Sequence, residues 1–292
     1  MNTDGENYSG YDPDLLNAIL SEAAYLLRNL GFAASHMSII GGVVPSLLVL
    51  DPPREAHIGT TDIDICLSLA IIEGDTAEYE RIEVCLRKAG YEPTNQTFRW
   101  KQTGRLGIFV EFFCPSGETR PAGKFFRPLA AENGTAKQNF GNTLSALALD
   151  AGGVLSEDIV EVVREVDLPN GEGKIDYSFR VTNVLGFLIA KIAAMEGRNK
   201  PKDAYDIVWI LENWNGGPSA VTLEVMKSPA YMRDEVREIL ERLPKLFESI
   251  DHVGARSYLR FMQNSDLTQN DRDLLLRRAV GAVAEFWDSL NK

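Results

Sequence analysis

The segment Ile58-Gly-Thr-Thr-Asp-Ile-Asp-Ile-Cys-Leu67 sets Asp62 and Asp64 two residues apart inside an alternating apolar run. Side chains alternate between the faces of a strand, so Ile63 and Ile65 can enter a core while both carboxylates look outward, their Cα atoms roughly 6.5 Å apart. Carboxylates at that spacing suit a divalent cation that prefers oxygen ligands, Mg²⁺ or Mn²⁺, and a solvated strand face is the bland alternative. Upstream, Met37-Ser-Ile-Ile40 reads as a short buried strand. Gly41-Gly42 follows, and Val43-Val-Pro-Ser-Leu-Leu-Val-Leu50 then reads as an apolar helix with Pro45 in its first turn.

Each piece has a chemical use. Gly41 and Gly42 let the backbone come close to a ligand, and the N–H groups opening the next helix favour an anion such as phosphate. Ser46 offers a hydroxyl nearby in sequence. A third acid comes from Arg105-Leu-Gly-Ile-Phe-Val-Glu-Phe-Phe113, which reads as a strand in which Glu111 is the sole carboxylate. A lone carboxylate in an apolar stretch is costly unless it is paired or metal-bound, or faces water at a sheet edge.

A later block has its own mechanics. Residues 182–195 read as a helix that Gly197 ends, and Pro201 opens a second helix running from Lys202 to about Asn213. Lys191 lies near the end of the first, while Asp203 and Asp206 share one face in the first turns of the second. Two plainer roles stand beside a functional one: Lys191 can snorkel from its apolar surroundings, and Asp203 can complement the helix dipole. Arg120, Lys124 and Arg127 form one basic cluster and Arg198, Lys200 and Lys202 another, either solvated loops or a rim around a nucleotide or a tRNA end.

Taken together, Gly41-Gly42, Thr61-Asp-Ile-Asp64, Glu111 and the run Lys191-Ile-Ala-Ala-Met-Glu-Gly-Arg-Asn-Lys-Pro-Lys-Asp-Ala-Tyr-Asp206 resemble the nucleotidyltransferase superfamily that includes DNA polymerase beta. Within it they are most similar to the AbiEii-like toxins of toxin–antitoxin and phage-defence systems. The resemblance spans about residues 37–212. Relatives often carry an arginine just before the Thr-x-Asp element and a serine directly after the glycine; this chain has His57-Ile-Gly-Thr and no such serine.

The resemblance implies a Mg²⁺- or Mn²⁺-dependent enzyme in which Asp62, Asp64 and Glu111 hold the metal and Glu111 helps activate the acceptor hydroxyl. Lys191 and Asp206 complete the catalytic set. Gly41, Gly42, Ser46, Thr61, Lys191, Arg198, Lys202 and Asp203 line the nucleotide. It further implies a toxin that transfers NMP from an NTP (ATP, GTP or CTP) to an RNA, with a tRNA 3′ end as one acceptor, under restraint by a cognate antitoxin protein. Two other readings stay open: nucleotidylation of a small molecule such as an aminoglycoside or of a protein, and a catalytically inactive nucleotide-binding module.

Composition bounds the rest. With 292 residues, 45% hydrophobic and 25% charged, the chain can bury one large core or two modest ones. A formal net charge of −12 argues against a broad non-specific DNA groove. The three cysteines suggest no disulfide framework, and the dispersed His36, His57 and His252 make neither a zinc helix nor a histidine triad. A start without basic and apolar signal regions, and no run long enough to span a membrane, lead to the expectation of a cytoplasmic protein.

The expected fold class is α/β: a mixed-sheet nucleotidyltransferase fold with a helical C-terminal part. Residues 1–13 are expected to be disordered, 14–180 to form the catalytic domain and 181–292 a helical domain. Within these, an amphipathic helix over 14–30 should turn Leu15, Leu16, Ile19 and Leu26 inward. A helix over 78–89, strands near 96–102, 106–113 and 124–128, and further strands and turns over 144–179 with a hairpin tip at Asn170-Gly-Glu-Gly173 complete the reading.

Overall fold

The computed structural model describes residues 13–68, 76–104, 107–118, 120–127, 144–150, 152–198, 200–263 and 266–292. The expected disordered N-terminus up to residue 12, together with Arg105, Pro128 and Asn199, lies outside them. In chain order the elements are α1 (Pro13–Leu30), β1 (Met37–Ile40), α2 (Val44–Leu48), β2 (Asp62–Leu67), α3 (Thr76–Lys88), β3 (Tyr91–Pro93), β4 (Arg99–Gln102), β5 (Phe109–Pro115), β6 (Phe125–Phe126), β7 (Ala146–Leu149), α4 (Gly152–Glu157), β8 (Ile159–Leu168) and β9 (Gly173–Thr182). Helices follow: α5 (Val184–Gly197), α6 (Pro201–Asn213), α7 (Gly217–Lys227), α8 (Asp234–Leu240), α9 (Arg242–Leu246), α10 (Val253–Met262) and α11 (Gln269–Leu290). No helix among the described residues is long and apolar enough to cross a membrane.

Two compact units result. The sheet unit holds Asp14–Val43 and Thr60–Thr182; the helical unit holds Val44–Gly59 and Asn183–Lys292. The protein is thus α/β, with a mixed sheet and a helical C-terminal part, and segment 44–59 belongs with the C-terminal helices despite its early place in the sequence.

In the sheet unit the strand order is β3-β4-β5-β2-β1-β9-β8, with β7 and β6 continuing from β5. β2 runs parallel to β5 and antiparallel to β1; β4 runs antiparallel to β5. The alternation read in the sequence is obeyed. Ile63, Ile65, Trp100, Val110 and Phe112 are fully buried, while Asp62, Asp64, Arg99, Phe109 and Glu111 alternate with them and are only partly covered. α3 adds Tyr79, Ile82 and Leu86 to the core, and its Arg87 guanidinium lies 5.3 Å from the Trp100 ring centroid. In α1, Ile19 and Leu26 are buried, whereas Leu15 and Leu16 are half-buried near the helix start.

Two elements differ from the sequence reading for local reasons. α4 is a helix within the stretch 144–179 expected to hold only strands and turns; a Cβ on Gly152 would lie 2.7 Å from the Pro115 Cα, so glycine lets this helix pack on the β5 backbone. α2 spans Val44–Leu48 after a 3₁₀ turn at Gly41–Val43, shorter than the expected 43–50, which leaves few aligned peptide dipoles to favour an anion.

Candidate functional site

Strand register assembles the carboxylates on the sheet unit. Asp64 pairs with Glu111, and Glu111 pairs with Arg99, so three charged side chains form one cross-strand row over β2, β5 and β4. The next row is Asp62, Phe109 and Lys101. Residues in register share a face. One oxygen from each of Asp62, Asp64 and Glu111 lies within 4.8 Å of the other two. Oxygens that share one Mg²⁺ at its usual bond length are at most about 4.2 Å apart, so small side-chain adjustments close the triad on an ion. An all-oxygen donor set fits Mg²⁺ or Mn²⁺ rather than a metal that seeks nitrogen or sulfur.

Two neighbours hold this face in shape. The Thr60 hydroxyl donates to Asp62 Oδ1 at 2.5 Å, whereas Thr61, the threonine favoured from sequence, is exposed. Gly41 has φ +73°, and a Cβ placed on it would lie 1.8 Å from Asp64 Oδ2. Glycine is therefore required twice over, by backbone conformation and by the space the Asp64 carboxylate fills. The glycine pair was expected to admit a ligand; what Gly41 admits is the Asp64 carboxylate itself.

Glu111 is not a lone acid. Arg99 Nε lies 3.0 Å from Glu111 Oε1, and the Arg99 guanidinium sits 3.9 Å from the Phe109 ring centroid. The expected basic rim at 120–127 is partly consumed within the sheet unit. Arg127 pairs with Glu83 at 3.0 Å and donates to the Leu144 carbonyl, and Arg120 donates to the Pro115 carbonyl. Lys124 is exposed.

The helical unit brings the late block together as a buried ion-pair cluster. Lys191 Nζ, on α5, lies 2.8 Å from Asp203 Oδ1 and 2.6 Å from Asp206 Oδ2, both on α6. Lys202 reaches Asp206 Oδ1 at 2.7 Å, and Arg198 reaches Asp203 Oδ2 at 3.0 Å. The hairpin of helices read from Gly197 and Pro201 makes these contacts possible. Lys202, expected on a basic rim, is 5% exposed and belongs to the interior; Lys191 is 6% exposed. Ser46 is likewise buried, in α2.

Charge in this cluster is settled by competition. Burial opposes ionisation of Lys191, but Asp203 and Asp206 outweigh it and hold its pKa above the ordinary lysine value. Lys202 goes the other way, because burial and repulsion from Lys191 exceed the pull of Asp206. Burial also works against the Asp206 carboxylate, yet Lys191 and Lys202 keep it well below the usual range.

His57 is the member that sequence reasoning missed. Its Nε2 lies 3.0 Å from Asp206 Oδ1, and its Nδ1 accepts from the Gly59 N–H at 3.1 Å, so Nε2 carries the proton and donates to the aspartate. Burial pushes its pKa down to about 4, with Lys202 and Lys191 adding to the fall and Asp206 resisting it. Other bonds tie the same segment to α6: Ile58 N–H to Tyr205 Oη at 3.3 Å, Trp209 Nε1 to the Glu55 carbonyl at 3.2 Å, and Glu55 N–H to Asn213 Oδ1 at 3.3 Å. These bonds explain why 44–59 folds with the helices.

No protein-family model and no curated protein matches this chain. The functional reading therefore stands on the residues.

Proposed function

We propose that this protein is a metal-dependent nucleotidyltransferase whose cation is held by Asp62, Asp64 and Glu111. The observation that carries the proposal is the convergence of those three carboxylates through strand register, with Gly41 shaped around Asp64. When bound, a divalent ion supplies charge stabilisation to phosphoryl oxygens, so the protein's part is positioning more than covalent chemistry. Thr60 fixes the Asp62 carboxylate by its hydroxyl. Glu111 accepts the proton of the acceptor hydroxyl, and Asp64 is held in place by the close approach of Gly41.

The acceptor we propose is an RNA, with a tRNA 3′ end as the first candidate, and the setting a toxin restrained by a cognate antitoxin; both rest on the family resemblance of the motifs. Gly42 and Thr61, on the sheet unit, belong to the same proposal as nucleotide-contacting residues, whereas Lys191, Lys202, Asp203 and Asp206 are committed to the buried ion pairs of the helical unit and are not assigned to it. Incubation with labelled ATP, GTP or CTP and Mg²⁺ or Mn²⁺, offering total RNA, lysate protein and an aminoglycoside in parallel, tests it. RNA labelling that Asp62→Asn and Asp64→Asn abolish is the expected result. Labelling of protein or aminoglycoside alone replaces the acceptor, and nucleotide binding without transfer to any of them makes the chain a binding module.

A further inference from the structure

Arg99 has no part in the chemistry proposed above, yet it is the cation placed closest to it in register. It faces Glu111 across the β4–β5 ladder, makes a 3.0 Å ion pair with the Glu111 carboxylate, and is flattened over Phe109 at 3.9 Å. The Glu111 side chain is 13% exposed and that of Arg99 29%, so water screens this pair only in part. An arginine cannot leave its charge behind at any pH a folded protein meets. Its contribution to the carboxylate face is therefore permanent.

The two rows set Asp62, Asp64 and Glu111, three negative charges when ionised, against Arg99 and the exposed Lys101, and of the two cations only Arg99 touches one of the carboxylates. We infer that Arg99 is a built-in counter-cation of this carboxylate face that weakens its hold on a free divalent ion. The inference rests on the metal-dependent reading above and deepens it. A unit charge one carboxylate away from a divalent ion alters its binding by roughly tenfold even when screened as in bulk water, and by more in a half-buried setting. The opposing effect is orientation: a hydrogen bond that aims a ligand carboxylate strengthens metal binding, and losing it costs roughly ten- to a hundredfold.

Three substitutions separate charge from polar contact. Arg99→Gln places an amide nitrogen at the same number of bonds from the backbone as Arg Nε, so it leaves a polar group facing Glu111 and removes the charge. Arg99→Lys keeps the charge and moves the donor. Arg99→Met removes both, and serves as the second uncharged variant should the glutamine protein fail to fold. Affinity for Mn²⁺ alone is read by electron paramagnetic resonance on the full chain, with far-ultraviolet circular dichroism as the folding control and Asp64→Asn added to each background. The expected result is Mn²⁺ binding at least tenfold tighter in Arg99→Gln than in wild type, lost again with Asp64→Asn, and nearly unchanged in Arg99→Lys.

Unchanged or weaker binding in Arg99→Gln overturns the inference in favour of an orienting role, and equal tightening in Arg99→Lys overturns it in favour of packing on Phe109. The nucleotide-transfer assay fails or succeeds separately. Tight Mn²⁺ binding by Arg99→Gln without any transfer activity sinks the proposed function alone, whereas transfer activity with no gain in Mn²⁺ affinity sinks the counter-cation alone.

Discussion

Acidification should loosen the helical unit through His57, and the size of the effect follows from its burial. The imidazole titrates at about 4 in the folded protein against 6.5 when unperturbed, because it is enclosed and beside two ammonium groups. Between those values the unfolded chain binds a proton that the folded chain refuses, so stability rises with pH across this window and is lost as pH falls through it. The full span is worth about 3 kcal/mol, and about 2 kcal/mol is already gone at pH 5 relative to pH 7. Urea unfolding at the two pH values measures it in wild type and in His57→Gln, which cannot take up a proton there. Glutamine should lower stability at pH 7 by loss of the Asp206 and Gly59 contacts and flatten the pH dependence by about the same 2 kcal/mol. Nitrogen-15 NMR should find His57 neutral at pH 7 with its proton on Nε2. An Nδ1-protonated ring, ordinary titration near 6.5, or an identical pH dependence in both proteins would refute the reasoning.

The remaining expectations concern the two charged centres. Gly41→Ala should abolish Mn²⁺ binding and transfer, since its Cβ would enter the space of Asp64 Oδ2 and its φ of +73° disfavours any side chain; calorimetric titration with Mn²⁺ checks it. Lys191→Ala should destabilise the protein by about 3–5 kcal/mol in urea unfolding, because it leaves Asp203 and Asp206 short of their shared cation, and Lys191→Arg should recover only part of that. Expression of the wild-type chain in a bacterium should slow growth and add nucleotides to RNA 3′ ends, and Asp62→Ala/Asp64→Ala should do neither; arrest that persists in the double variant counts against catalysis as its cause.

The carboxylate face was legible because its determinants are periodic. Alternation in Asp62–Leu67 and around Glu111 fixes which side chains share a surface, and hydrophobic burial of the intervening residues enforces it. The turn at Asn170 was legible for a similar local reason: Asn170 takes φ 64° and Gly171 φ 74°, conformations their residue types tolerate. What escaped was non-local. Arg99 meets Glu111 only through the β4–β5 register, and β3 is a three-residue strand too short to show a period. His57 and Asp206 are separated by 149 positions, and no spacing rule reports such a pair. The histidine was legible only as a departure from the motif pattern that the sequence resembles.

That departure has a physical consequence. A protonated side chain next to Asp206 would join Lys191 and Lys202 as a third cation around one aspartate, and the excess would have to be carried without water. A neutral imidazole supplies the hydrogen bond without the charge; burial first, and then Lys202 and Lys191, keep it unprotonated against the pull of Asp206. The same logic gives a test of substitution: His57→Arg, which puts a fixed charge beside Asp206, should be tolerated only if Lys202 gives up its charge or its place. Lys202 already has a lowered pKa, so His57→Arg/Lys202→Met should be more stable than His57→Arg alone, whereas in the wild-type background Lys202→Met should not be stabilising by the same amount. A double-mutant cycle in urea measures the coupling, and additive effects of the two changes would show that charge crowding around Asp206 is not what selects histidine at position 57.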